Sequence, residues 1–185
     1  MARTPSAMIP LGSKASEFML QDTKTGNSVS LNKLKGEKGT VIMFICNHCP
    51  FVKHVNPELV RIANDYSEKG ISFIAISSND AQQYPEDGPD TMKKVGHELK
   101  YPFPYLYDES QEIAKAYQAT CTPDFFIYDK DLNLVYRGQL DSSRPGNDIP
   151  LTGKDMRSAL DNIINNKPVS EDQVASIGCN IKWRS

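Results

Sequence analysis

Two buried-strand patterns and several helical ones run along this chain. Thr40–Ile45 (TVIMFI) and Ile71–Ser77 (ISFIAIS) are continuous, β-branched-rich apolar runs, as expected of strands covered on both faces. Between them Val52, Val55, Leu59, Ile62, Ala63 and Tyr66 recur at helical spacing. That spacing predicts a one-faced helix, kinked where Pro57 lacks its donor and ended by Gly70. Strand, helix and strand make a βαβ unit with parallel pairing. Upstream, Phe18–Leu20 and Val29–Leu31 flank turn-forming residues 22–27 and read as an N-terminal hairpin. Downstream come a polar loop (Asn79–Pro89), a helix over Asp90–Lys100, and a strand over Phe103–Tyr107 that its prolines assign to an edge. A helix capped by Ser110 then runs through Tyr117. Phe125–Tyr128 and Leu134–Arg137 form a second hairpin, and an amphipathic helix spans Lys154–Asn165. The fold class is therefore α/β: a central mixed sheet with helices on both faces, an N-terminal hairpin and a helical insertion. One domain covers 1–185, with irregular extensions at 1–15 and 166–185.

Composition narrows the function. The 21 Lys+Arg against 23 Asp+Glu leave a net charge of −2, which gives no pull toward nucleic acid or an anionic membrane. The longest apolar run, Val41–Cys46, falls far short of the ~20 residues of a membrane helix. The N-terminus has no apolar core of a signal peptide, and four cysteines are too few for a disulfide-built secreted scaffold. A cytoplasmic protein is expected. Phosphate-cradling, nucleophile-elbow and metalloprotease motifs do not occur. The acidic run Tyr84–Asp90 reads as a solvated loop.

The chemistry concentrates in Cys46-Asn-His-Cys49. Cys46 ends a buried strand, and Cys49 is expected in the first turn of the following helix. Residues three apart on a helix share a face, close to disulfide geometry. The first sulfur would meet unpaired N–H groups and the positive end of the helix dipole, which favour a thiolate; the second would lie one turn deeper. An exposed low-pKa nucleophile and a shielded resolving thiol are what disulfide exchange needs. His48 is the candidate for tuning the redox poise, with Lys53 and His54 adding positive charge. Half of a zinc site is the competing interpretation, but no second CxxC completes it.

Cys121-Thr-Pro123 stands just before a strand. With TVIMFICNHCP, ISFIAIS, TPDFFIYDKD and the Gly178-Cys-Asn-Ile-Lys-Trp183 tail, the chain resembles the thioredoxin-like superfamily. The likeness is to its peroxiredoxin-like (AhpC/TSA, TlpA/ResA-related) branch. That resemblance implies a thioredoxin-like fold, a cis Pro123, and a Thr122 backbone placed to bind an extended substrate. It implies a thiol–disulfide oxidoreductase with Cys46 as nucleophile and Cys49 resolving, and no cofactor or metal beyond the redox-active disulfide. Its partners would be a protein or small-molecule disulfide or thiol and a reductant such as a thioredoxin or glutathione system. Cys121 departs from thioredoxin and stays open as a third redox thiol, a ligand or a packed small residue. Cys179 reads as part of a docked tail. Peroxide reduction is the rival activity. Met43 and Gly39 stand where that family's threonine and proline precede a reactive cysteine at Cys46, and Cys46 and Ile42 where they would precede one at Cys49. A metal-holding or interaction protein on the same fold is the third reading.

Overall fold

The protein is described by a computed structural model covering residues 3–184; Met1, Ala2 and Ser185, the tips of the two expected extensions, lie outside the described residues. In chain order the elements are β1 (Arg3–Pro5), β2 (Met19–Asp22), β3 (Ser28–Ser30), α1 (Leu31–Leu34), β4 (Gly39–Phe44), α2 (Pro50–Ser67) and β5 (Ile71–Ser77). Then follow α3 (Pro89–Glu98), β6 (Tyr105–Tyr107), α4 (Glu112–Ala116), β7 (Cys121–Thr122), β8 (Asp124–Asp129), β9 (Leu134–Arg137), α5 (Lys154–Ile164) and β10 (Ile177–Asn180).

The main sheet has seven strands in the order β3-β2-β6-β5-β4-β8-β9. β4 is an interior strand, parallel to β5 and antiparallel to β8. Its side chains alternate between two cores. Val41 and Met43, with Ile45 beyond the strand, pack among Leu59 and Ile62 of α2 and Met156 and Leu160 of α5. Ile42 and Phe44 pack on the other face among Ile74, Ile76, Tyr117 and Phe126. A one-residue slip would exchange the two sets, so both cores hold β4 in register and fix where Cys46 emerges.

Four expectations change. β6 is interior, between β2 and β5, because Pro102 and Pro104 precede the three residues that pair and cost the ladder nothing. α2 begins at Pro50, one residue beyond Cys49, because proline suits the first helical position, where the N–H has no partner anyway; it then passes through Pro57 without ending. The N-cap of α4 is Gln111, in a left-handed conformation, while Ser110 Oγ accepts the Glu112 N–H. The chain ends are not irregular throughout: β1 pairs antiparallel with β10, and β10 with β7, in a second sheet of three strands. Strands this short and mixed in polarity carry no periodic signal.

Candidate functional site

Cys46 follows β4, and Cys49 is the N-cap of α2, its carbonyl accepting the Lys53 N–H at 3.0 Å. The two thiols are hydrogen-bonded to each other. Neither is open: Cys46 is 1% and Cys49 0% exposed. Thr122 Oγ1 lies 3.3 Å from Cys46 Sγ, and the Thr122 carbonyl accepts from a protonated Cys49 at 3.2 Å.

The charge falls on the other sulfur from the one expected. Cys49 is pulled down to about 5 by the hydrogen bond from Cys46, with Cys179 and the Val52 amide also stabilising its anion against the cost of burial. Cys46 is pushed well above the ordinary thiol range by that same hydrogen bond to Cys49, by burial and by the nearby Asp87 carboxylate. Cys49 is also the N-cap of α2, where the Val52 amide of the first turn adds a smaller pull to that of Cys46.

Asp87, which the sequence reading left in a solvated loop, is fully buried here. Its Oδ1 accepts the backbone N–H groups of Asn47 (2.7 Å) and His48 (3.2 Å). Its Oδ2 accepts from His48 Nδ1 (2.5 Å) and Asn79 Nδ2 (2.8 Å). One carboxylate thus holds the loop between the two cysteines. His48 gives its Nδ1 proton to Asp87 rather than to Cys46, and its ring stacks on Tyr84. His54 is turned toward Ser143, 2.8 Å from Nε2.

Asp87→Asn is expected to let Cys46 ionise at lower pH, because the opposing charge is gone. It should also cost about 1–3 kcal/mol of stability, because the amide nitrogen meets donors on every side. Titrating the ultraviolet absorbance of the thiolate reads the first effect; an unmoved upper midpoint would remove Asp87 from the electrostatics of the pair.

The Thr122–Pro123 peptide bond is cis. The strand edge beside it is already taken, since Thr122 pairs with Cys179 in β10. Cys121 is buried with its sulfur 3.5 Å from the Pro123 carbonyl, and burial pushes its thiol up. The thiol brought onto the reactive pair is Cys179, whose Sγ is 2.7 Å from Cys49 Sγ. Sequence reasoning assigned that tail to docking; the Gly-Cys-Asn-Ile-Lys-Trp motif was the available signal.

Cys46 Sγ, a ring nitrogen of His48 and a carboxylate oxygen of Asp87 lie within 4.8 Å of one another. Both Asp87 oxygens are engaged by four hydrogen bonds, so a metal ion would have to displace part of the network that shapes the loop. A groove of about 540 Å³ between α2 and α3 reaches this loop at Asn47 and carries Lys53, Glu98 and the half-exposed Leu99. No helix among the described residues is long and apolar enough to cross a membrane.

A crystal structure of an uncharacterized conserved protein from Geobacillus kaustophilus matches with a TM-score of 0.98 and 62% identity, covering 100% of this chain and 97% of that one. The thioredoxin domain of a thiol-disulfide oxidoreductase from Bacteroides vulgatus matches with a TM-score of 0.58 and 24% identity, covering 74% of this chain and 90% of that one, so the fold is thioredoxin-like. The thiol-disulfide oxidoreductase ResA of Halalkalibacterium halodurans is 26% identical over 124 residues, which span 67% of this chain and 65% of that protein's length. The AhpC/TSA family model matches residues 11–137, from the segment before the first hairpin to the end of β9 and so across both cysteines and the cis proline; the chain belongs to the AhpC/TSA family.

Proposed function

We propose that this protein is a thiol–disulfide oxidoreductase that cycles Cys46 and Cys49 between dithiol and disulfide. The observation that carries the reading is the pair itself: two thiols sharing a hydrogen bond at a strand–helix junction, with the pKa of Cys49 pulled down chiefly by Cys46. The matches to thiol-disulfide oxidoreductases support it.

In this cycle Cys46 passes its proton to Cys49 as it attacks one sulfur of a substrate disulfide. That S–S bond breaks, and the departing thiolate takes a proton from solvent. Cys49, ionised again by its surroundings, attacks Cys46 Sγ and expels the second substrate thiolate. The substrate has gained two electrons, and the Cys46–Cys49 disulfide holds the oxidised state until a thiol reductant attacks it. Thr122 orients Cys46 through its hydroxyl, beside Pro123. His48 sets the redox poise as half of its pair with Asp87, by fixing the loop that carries Cys46. Substrates are protein or small-molecule disulfides. A thioredoxin or glutathione system supplies the electrons, which suits a cytoplasmic address.

The test is turnover of insulin disulfides with dithiothreitol. The wild-type protein is expected to shorten the lag before insulin B-chain precipitation severalfold at micromolar concentration; a lag equal to the dithiothreitol blank overturns the reading. Peroxide reduction is the second reading, favoured by membership of the AhpC/TSA family. Rapid loss of hydrogen peroxide together with an unchanged insulin lag would put it first.

A further inference from the structure

Cys179 belongs to neither cysteine of the proposed pair and comes from the opposite end of the chain, yet the structure holds it against Cys49. The Sγ–Sγ distance of 2.7 Å lies between the ~2.05 Å of a disulfide bond and the roughly 3.5–4 Å of ordinary nonbonded contact.

The placement is enforced from several sides. Within the small sheet Cys179 is paired with Thr122 on one edge and Arg3 on the other. The preceding Gly178 lies so close to β7 that a Cβ there would stand 1.9 Å from the Thr122 carbonyl oxygen. Past the strand, the Lys182 N–H is accepted by Asn79 Oδ1, and the Lys182 carbonyl accepts from the Asp80 N–H and from Gln111 Nε2. Asn79 also donates to Asp87, so the loop that shapes Cys46-Asn-His-Cys49 and the segment that delivers Cys179 are tied to one residue.

We propose that Cys179 is a third redox thiol, and that Cys49 is the pivot of two alternative disulfides, one with Cys46 and one with Cys179. The proposal rests on the Cys46–Cys49 cycle above. Starting from that disulfide, the Cys179 thiolate attacks Cys49 Sγ; the Cys46–Cys49 bond breaks as the Cys49–Cys179 bond forms. Cys46 leaves as a thiolate and takes up the proton that Cys179 lost. The exchange consumes no oxidant or reductant. It moves the oxidised state into the strand that covers the site and returns Cys46 as a thiol. Cys179 in its resting state is protonated, pushed up to about 12 by burial and by its hydrogen bond to Cys49. Oxidation of Cys49 removes the anion responsible for the second part of that shift.

Tryptic peptides distinguish the two bonds. Cys46 and Cys49 share peptide 39–53, Cys179 lies in 158–182, and Cys121 in 116–130. The full-length protein is oxidised with oxidised glutathione, quenched in acid, alkylated with N-ethylmaleimide and digested without reduction. The expected products are an internally bridged 39–53 and a 39–53/158–182 conjugate whose alkylated residue is Cys46. Cys179→Ser should abolish the conjugate and leave the internal bridge, whereas Cys46→Ser should raise the conjugate severalfold. If only the internal bridge forms, in wild type and with no conjugate in Cys46→Ser, this proposal fails while the Cys46–Cys49 pair stands. A conjugate alkylated at Cys49 also overturns it. With neither product, the pair falls as well.

Discussion

Cys46→Ser should lengthen the lag of dithiothreitol-driven insulin reduction severalfold, to that of the blank, because the atom that makes the mixed disulfide is gone. Cys49→Ser should lose turnover almost as completely, but for a different reason. It should accumulate a mixed disulfide through Cys46, visible as a reductant-sensitive band with the insulin chain, because the attack that releases it cannot occur. Cys179 is held on Cys49, the thiol this variant removes, and is not expected to take over that attack. The assignment is exposed to a direct reversal. Cys49 is the thiol whose pKa is pulled down, so an adduct that forms on Cys49 in Cys46→Ser, and never on Cys46 in Cys49→Ser, would exchange the two roles. Mass spectrometry of the trapped species decides between them.

The second large effect is on stability. Gly178→Ala should lower the midpoint of thermal unfolding by roughly 6–12 °C, the equivalent of about 3 kcal/mol of overpacking in a chain of this size. The cause is close approach: the added Cβ would meet the Thr122 carbonyl oxygen at 1.9 Å, the carbonyl carbon at 2.5 Å and the Pro123 nitrogen at 3.0 Å, all of them backbone. Nothing there can rotate away, so β10 must leave β7 or carry β7 with it. The same variant should react with Ellman's reagent at Cys46 and Cys49 at least tenfold faster, since the strand covering them is displaced. Unchanged melting and unchanged thiol reactivity together would show that β10 does not pack on Thr122 as described.

Much of this architecture is legible in the sequence, for identifiable reasons. β4, α2 and β5 are long, strongly patterned and buried, so local pattern and global packing agree. The β8–β9 hairpin is announced by the turn chemistry of Asp129–Asn133, where Asp129 accepts the N–H groups of Asp131 and Asn133. The CxxC pair is legible because its spacing is itself chemical information. Asp87 is hidden for the opposite reason. Its Pro-Glu-Asp-Gly-Pro surroundings look like those of any surface turn, and only docking against a loop some 40 residues away buries it. Cys179 is hidden likewise, since a short strand of Ile, Gly, Cys and Asn has no periodicity and gains its position from distant partners, β1 near the N-terminus and β7 in mid-chain. Pro50 starts α2 one step later than the apolar pattern suggests, which makes Cys49 the N-cap and adds the Val52 amide to the hydrogen bond from Cys46 that lowers its pKa.

Part of the cover over the thiols is β10, whose Cys179 lies on Cys49, and it leaves the ribosome after β7 and α2. During synthesis the chain therefore carries a nearly finished redox centre with no roof. Any oxidant or neighbouring thiol present then meets Cys46 and Cys49 before the last strand arrives to shut them in.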